Sequence, residues 1–263
     1  MRSSSEGFGG MRLRVVYDNH PPALSALRSG WGFSCLIEGF EKTILFDAGT
    51  SGPILLGNLA ALDADPRGID AVVISHGDWD HLGGLWTLLD VHPQVEVFLP
   101  ASLSSHLMDE VASYAGRLRV VGDEPVSICP GVRSGGEMDG PRKEQALFME
   151  TPSRGIVLAG CAHPGIVEMV RRFVASCQTP RPLLVMGGFH LGRASEEETL
   201  RIIRQLKALG VGQVAPTHCT GERAEALFAR HFPGNFFPLG PGSRLDEAAL
   251  AEKPSSAIPG ERA

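Results

Sequence analysis

Residues 75–84 read Ser-His-Gly-Asp-Trp-Asp-His-Leu-Gly-Gly. Within six positions the stretch offers His76, Asp78, Asp80 and His81. Imidazole supplies a borderline nitrogen and carboxylate a hard oxygen, a mixture that suits zinc, manganese or iron better than calcium. A regular strand or helix would scatter four such side chains, whereas a loop can turn them inward. Gly77, Gly83 and Gly84 let the backbone bend sharply and pack closely. The loop follows Ala-Val-Val-Ile-Ser at 71–75, a short apolar run of the buried-strand kind.

Three other apolar runs also lead into a histidine. Gly-Ile-Val-Leu-Ala-Gly-Cys-Ala precedes His163, Leu-Leu-Val-Met-Gly-Gly-Phe precedes His190, and Gln-Val-Ala-Pro-Thr precedes His218. Histidines just past the ends of buried strands sit on rigid supports at one sheet edge, where open α/β sheets bind ligands. Period and turn signals predict strands over 12–18, 33–38, 42–46, 71–75, 95–99, 117–121, 126–129, 145–150, 155–159, 183–186 and 213–216. Helices are expected over 53–62, 82–91, 102–114, 166–177, 196–209 and 221–230. Val167, Val170 and Val174 are assigned to the buried face of the helix over 166–177, and Ser195 caps the helix over 196–209 above Glu196, Glu197 and Glu198. Residues 130–141 hold four glycines and read as a loop. Many strands followed by strand–helix alternation fit two sheets with helices outside, a layered α/β sandwich.

The chain has 263 residues, 24 Lys and Arg against 30 Asp and Glu, a net charge of −6, and 43% hydrophobic content. That balance is globular, and it argues against a nucleic-acid or anionic-membrane binding face. No run approaches the roughly 18–20 apolar residues of a membrane span. Residues 1–10 are Ser/Gly-rich and lack the apolar core of a secretion signal. They read as a flexible tail, with a single domain over 11–247, a second tail over 248–263, and a cytoplasmic location. The cysteines at 35, 129, 161, 177 and 219 are odd in number and form no C-x-x-C pair, so reduced thiols are expected. No G-x-G-x-x-G, Walker or G-x-S-x-G pattern is present.

The loop at 75–84 resembles the metal-binding HxHxDH loop of the metallo-β-lactamase superfamily, with Asp78 where the second histidine usually stands. LFDAG (45–49), GCAHPGI (160–166), GGFHL (187–191) and PTHCTG (216–221) follow suit in order. Together they are similar to one branch, the 7,8-dihydropterin-6-yl-methyl-4-(β-D-ribofuranosyl)aminobenzene 5′-phosphate synthase-like proteins, over about 11–240. The resemblance implies an α/β fold of the αββα four-layer sandwich type, with one or two divalent ions at the sheet edge, zinc first and manganese or iron as alternatives. It places His76 and Asp78 at one metal, Asp80, His81 and His218 at the other, and His163 as a further ligand. It implies that Asp47 supports the metal loop from behind, and it leaves His190 open between ligand, substrate contact and proton donor.

Two departures matter. Lys143–Glu144–Gln145 stands where many relatives carry a histidine of the first metal site. Asp78, shorter than histidine and charged, tilts the site toward harder ions. The leading expectation is a hydrolase in which metal-bound hydroxide, oriented by Asp80, attacks an ester or phosphoester-type small molecule while His190 protonates the leaving group. The alternatives are a pterin-type transferase that displaces pyrophosphate from a phosphorylated, pterin-like substrate, and a non-catalytic metal-binding or sensing protein. His20, His92, His106 and His231 read as ordinary surface or core histidines. Cys161 reads as a small buried residue. Asp18–Asn19, resembling a family motif, reads as structural. Trp31, Phe33 and Trp79 are expected near the mouth of the site, where aromatics can stack on a flat ring.

Overall fold

A computed structural model describes residues 10–177 and 183–251. The expected tails at 1–10 and 248–263 lie almost wholly outside the described residues. Among them, however, Leu250 is fully buried and its carbonyl accepts bonds from Arg154 and Gln213, so packed structure continues past Glu247.

The first sheet contains β1 (Arg12–Tyr17), β2 (Ser34–Glu38), β3 (Ile44–Phe46), β4 (Ala71–Val73), β5 (Glu96–Pro100), β6 (Arg117–Val121) and, at its far edge, β13 (Arg244–Asp246). The second contains β7 (Val126–Cys129), β8 (Val132–Met138), β9 (Glu144–Glu150), β10 (Gly155–Ala159), β11 (Leu183–Gly188) and β12 (Val211–Thr217). The strand orders are β13-β1-β2-β3-β4-β5-β6 and β12-β11-β10-β9-β8-β7. Both sheets are mixed. β3 to β6 run parallel, as do β10 to β12, and the remaining pairs are antiparallel.

Side-chain alternation builds the layers. Ile44 and Phe46 of β3, and Ile156 and Leu158 of β10, face one core shared by the two sheets. Leu45 packs instead with Leu55, Leu59, Leu85 and Leu88 of α1 (Gly52–Ala61) and α3 (Leu85–Val91). Val157 and Val185 pack with Val170, Ile203 and Phe228 of α5 (Ile166–Ser176), α6 (Glu196–Ala208) and α7 (Glu222–His231). Strands covered on both faces are apolar throughout because neither face meets water. The result is the expected αββα sandwich. The remaining α-helices among the described residues are α2 (Trp79–Leu82), a single turn inside the 75–84 loop, and α4 (Ser105–Tyr114).

Three expectations give way. The glycine-rich segment at 130–141 is mostly strand β8. Gly135 leaves room beneath the Phe148 ring, and Gly136, at φ +77°, sits in a bulge between Ser134 and Glu137. The glycines thus shape a strand rather than end one. Val174 is exposed; Ile166, Met169 and Phe173 join Val167 and Val170 on the buried face of α5. Phe33 is wholly buried in the intersheet core and does not line the mouth.

The parallel strands β10, β11 and β12 deliver Cys161 and His163, His190, and His218 past their carboxyl ends, while β4 delivers His76. Four of the five non-glycine residues with positive φ among the described residues lie at this edge: Asp47, Ala162, His190 and His218. That conformation costs an L-residue on the order of 1 kcal/mol or more, and it recurs where side chains must be aimed against local preference.

Candidate metal centre

The structure brings the separate histidines together. His76, Asp78 and His163 place donor atoms within 4.8 Å of one another, and so do Asp80, His81 and His218. Individual separations are 3.6 Å from His76 Nε2 to Asp78 Oδ2, 4.0 Å from His163 Nε2 to the same oxygen, and 3.4 Å from His218 Nε2 to Asp80 Oδ2. His76, His81 and His218 are buried; Asp78 and Asp80 are partly exposed.

The other ring nitrogens are all engaged behind this cluster. Asp47 Oδ2 accepts from His81 Nδ1 at 2.7 Å and from the Ser75 hydroxyl at 2.8 Å, while Oδ1 accepts from the Ser75 amide at 2.7 Å. The Ser75 hydroxyl has spent its hydrogen on Asp47, so it accepts from His76 Nδ1, 2.8 Å away. Glu144 Oε2 accepts from His163 Nδ1 at 2.9 Å, and Asn19 Oδ1 accepts from His218 Nδ1 at 2.7 Å. All four imidazoles therefore carry the proton on Nδ1 and turn a bare Nε2 lone pair inward, a tautomer assigned from the bond network.

That arrangement tests whether a cation fits. His81 Nε2 and His218 Nε2 lie 3.2 Å apart, two lone pairs facing each other, and His76 Nε2 is buried with no hydrogen-bond partner. Such a cluster is repulsive by itself and satisfied by divalent ions, with each ring held from behind in the manner usual for metal-ligating histidine. The residues present fit the group.

Charge follows the geometry. Burial alone would raise Asp80, but the His218 ring bond and the nearby His81 and His218 hold its carboxyl well below the usual range. Asp78 is lowered, first by the His76 ring and also by Arg142, whose Nη1 lies 2.9 Å from Asp78 Oδ1. Glu144, completely buried, is held down to about 2; burial opposes this, but the His163 ring, the nearby His76 and backbone amides outweigh it. His190 is exposed, with its ring 4.6 Å from that of His163. Its imidazole is raised, chiefly by the Cys219 thiol.

Several neighbours carry no motif that announces them. Glu144 belongs to the segment read as lacking a ligand, yet its carboxylate gathers the Gly160, Cys161 and Ala162 amides at Oε1 and the His163 amide at Oε2, all within 2.9–3.1 Å. Asn19, read as structural, touches His218 on both faces, through Nδ1 and through the backbone carbonyl. Cys161 is buried, as expected, but its sulfur also stands 3.2 Å from His81 Nε2. His20 departs from an ordinary histidine: Asp18 at 2.6 Å and Glu225 at 3.1 Å raise it to about 10, with the Asp18 bond the larger cause. Asp18 also accepts from Thr217, the residue before His218. His92 simply bonds the Ile69 carbonyl. Trp31 and Trp79 are 60% and 59% exposed at the mouth, Trp31 with its ring 5.2 Å from that of His218 and Trp79 stacked on Trp86. Cys35, Cys129, Cys161 and Cys219 are thiols outside any disulfide.

Residues 32–218 match the family model described as the metallo-beta-lactamase superfamily. The chain belongs to the metallo-beta-lactamase superfamily. Within it, the chain is 30% identical to the 7,8-dihydropterin-6-methyl-4-(beta-D-ribofuranosyl)-aminobenzene-5'-phosphate synthase of Methanocaldococcus jannaschii, over 88% of this chain and 95% of that protein. It is 28% identical to Tm1679, described as a metal-dependent hydrolase of the beta-lactamase superfamily, with a TM-score of 0.74 over 89% of this chain and 98% of that one. The short form of human tRNase Z shares the fold at 13% identity and a TM-score of 0.60. This superfamily chain is a metal-dependent enzyme by membership and by the donor set at its sheet edge. Among the described residues no helix is long and apolar enough to cross a membrane.

Proposed function

We propose that the chain is a metal-dependent transferase that joins a dihydropterin-type methylene carbon to an arylamine bearing a ribose phosphate, with pyrophosphate as the leaving group. The observation that carries this reading is the end-to-end likeness to the Methanocaldococcus synthase, which spans 95% of that protein. Hydrolysis, the leading expectation from sequence, becomes the second reading and is favoured by the likeness to Tm1679.

In the transfer, the methylene carbon–oxygen bond breaks, a carbon–nitrogen bond forms, and the arylamine gives up a proton. His76, Asp78 and His163 would hold one cation, and Asp80, His81 and His218 the other. When bound, such a pair neutralises the charge that develops on a departing diphosphate. His190, exposed beside His163 and raised by Cys219, is placed to protonate the departing oxygen. Trp31, open to solvent beside His218, offers a face for a flat ring. A cleft of about 420 Å3 opens against His163 and His190, and its Arg171 and Arg201 are paired with Glu168 and Glu198 of the same lining.

The test supplies a dihydropterin-methyl diphosphate with and without the arylamine and follows both pyrophosphate and condensed product. Condensed product in step with pyrophosphate, only when the amine is present, is expected. Equal pyrophosphate release without amine would assign the chain to hydrolysis. Asp80→Asn is expected to lower turnover by about 10²–10³-fold, since it removes a charge aimed at the reacting centre.

Asp78 gives a separate prediction. Its Oδ2 faces His76 Nε2 while Oδ1 is tied to Arg142. Asp78→His replaces a hard oxygen with an imidazole and is expected to shift the bound metal toward zinc when zinc and manganese are offered together. An unchanged zinc-to-manganese ratio by elemental analysis would remove Asp78 from the ligand set.

A further inference from the structure

The Cys161 sulfur occupies a place that neither donor triad accounts for. It lies within 4.8 Å of ring nitrogens of His76 and His81 together, within the same distance of His218 and Cys219, and again of His163 and His190. It is therefore near members of both triads at once. Nothing about this position is loose. Cys161 is buried, its amide is bonded to Glu144 at 2.9 Å, and the next residue, Ala162, is held at φ +57°. The sulfur points at the bare lone pair of His81 Nε2, 3.2 Å away, and beside it His76 Nε2 is buried without a partner. As a thiol it can donate to the His81 Nε2 lone pair; as a thiolate it would stand among ring nitrogens of both triads, where a cation could be shared.

We infer that Cys161 is a metal ligand whose thiolate bridges the two cations, a role resting on the metal-dependent reading above. The dimensions agree. Paired catalytic metals sit about 3.5–4 Å apart, and a zinc–sulfur bond is about 2.3 Å, so one sulfur reaches both. The charge also agrees. Two dications carry four positive charges; Asp78, Asp80 and a Cys161 thiolate return three, leaving the pair cationic toward an anionic substrate. A soft sulfur between hard carboxylates favours zinc over manganese and offsets the hardening effect of Asp78. Cys219, whose sulfur faces the Cys161 carbonyl at 3.7 Å and lies within 4.8 Å of the Cys161 sulfur and a His218 ring nitrogen, is the competing thiol.

X-ray absorption at the zinc edge tests this on the intact chain, loaded with one and then two equivalents of zinc. A bridging thiolate gives one sulfur neighbour per zinc at about 2.3 Å at both loadings. A terminal thiolate gives one sulfur at the first loading and an average of one half at the second, which overturns the bridge. Cys161→Asp keeps an anionic bridge and is expected to bind two zincs with no sulfur neighbour, whereas Cys219→Ser is expected to match the parent. Two zincs bound with no sulfur in the parent, or sulfur lost in Cys219→Ser, overturns the inference and leaves the metal reading standing. No zinc retained at any loading overturns both.

Discussion

Glu144→Ala is expected to destabilise the fold by about 3–5 kcal/mol, the usual result of stripping one partner from a buried charged network. The carboxylate is fully buried and accepts five bonds, four from consecutive backbone amides at 160–163 and one from the His163 ring. Alanine would leave those amides buried and unsatisfied and would free His163 to rotate. Chemical denaturation measures the loss, and zinc titration of the folded fraction should show weakened binding. Glu144→Gln is the gentler comparison: it keeps one accepting oxygen, so it should fold but bind zinc less tightly. Denaturation of Glu144→Ala within 1 kcal/mol of the parent, an interval on the scale of an ordinary surface change, would mean the turn is held by something else. The group also sets an acid limit. Its carboxyl lies at about 2 in the fold against 4.5 as a free side chain, so its stabilisation is complete above pH 4.5 and drains away as the pH falls toward 2. Glu144→Gln should flatten that acid slope.

Asp47→Asn is expected to weaken zinc binding by about 10–100-fold, in line with other supports behind a metal ligand. Asp47 Oδ2 receives two hydrogens, from Ser75 and from His81 Nδ1, and Oδ1 receives the Ser75 amide. An amide cannot accept at both ends. With its nitrogen toward His81, it would force the ring proton onto Nε2, the atom that must face the cation. With its nitrogen toward the Ser75 amide, two donors would meet. Asp47→Ala is expected to be worse, since alanine must also hold φ +59° and leave three donors unanswered. Competition titration against a zinc chelator measures the first effect and thermal unfolding the second. Parent-like zinc affinity in Asp47→Asn would show that the His81 tautomer is set elsewhere.

Much of the centre is legible along the chain because each strand ends in its functional residue. His76, His163, His190 and His218 all stand within three residues of a buried apolar run, and a strand end is a local feature with a local signal. Phe33 and the glycine-rich segment at 130–141 were less legible. Phe33 lies just before β2 and enters the intersheet core only once the two sheets are stacked, and Gly135 reads as a loop residue until Phe148 is placed over it. Glu144 is the sharpest example. In sequence it is a carboxylate between a lysine and a glutamine. Its partners lie 16–19 positions away in the turn after β10, and nothing in its neighbourhood announces them.

Local residue order was enough to settle the apolar strands, the loop carrying His76, Asp78, Asp80 and His81, and the Ser195 cap of α6, because hydrophobic period and turn chemistry act over a few neighbouring positions. Which ring nitrogen each histidine turns inward, and that Cys161 lies between the two triads, depended on the sheets being stacked. Those facts follow from hydrogen bonds between segments distant in the chain, such as Asn19 to His218 and Asp47 to His81, and such bonds exist only once the sandwich has closed around them.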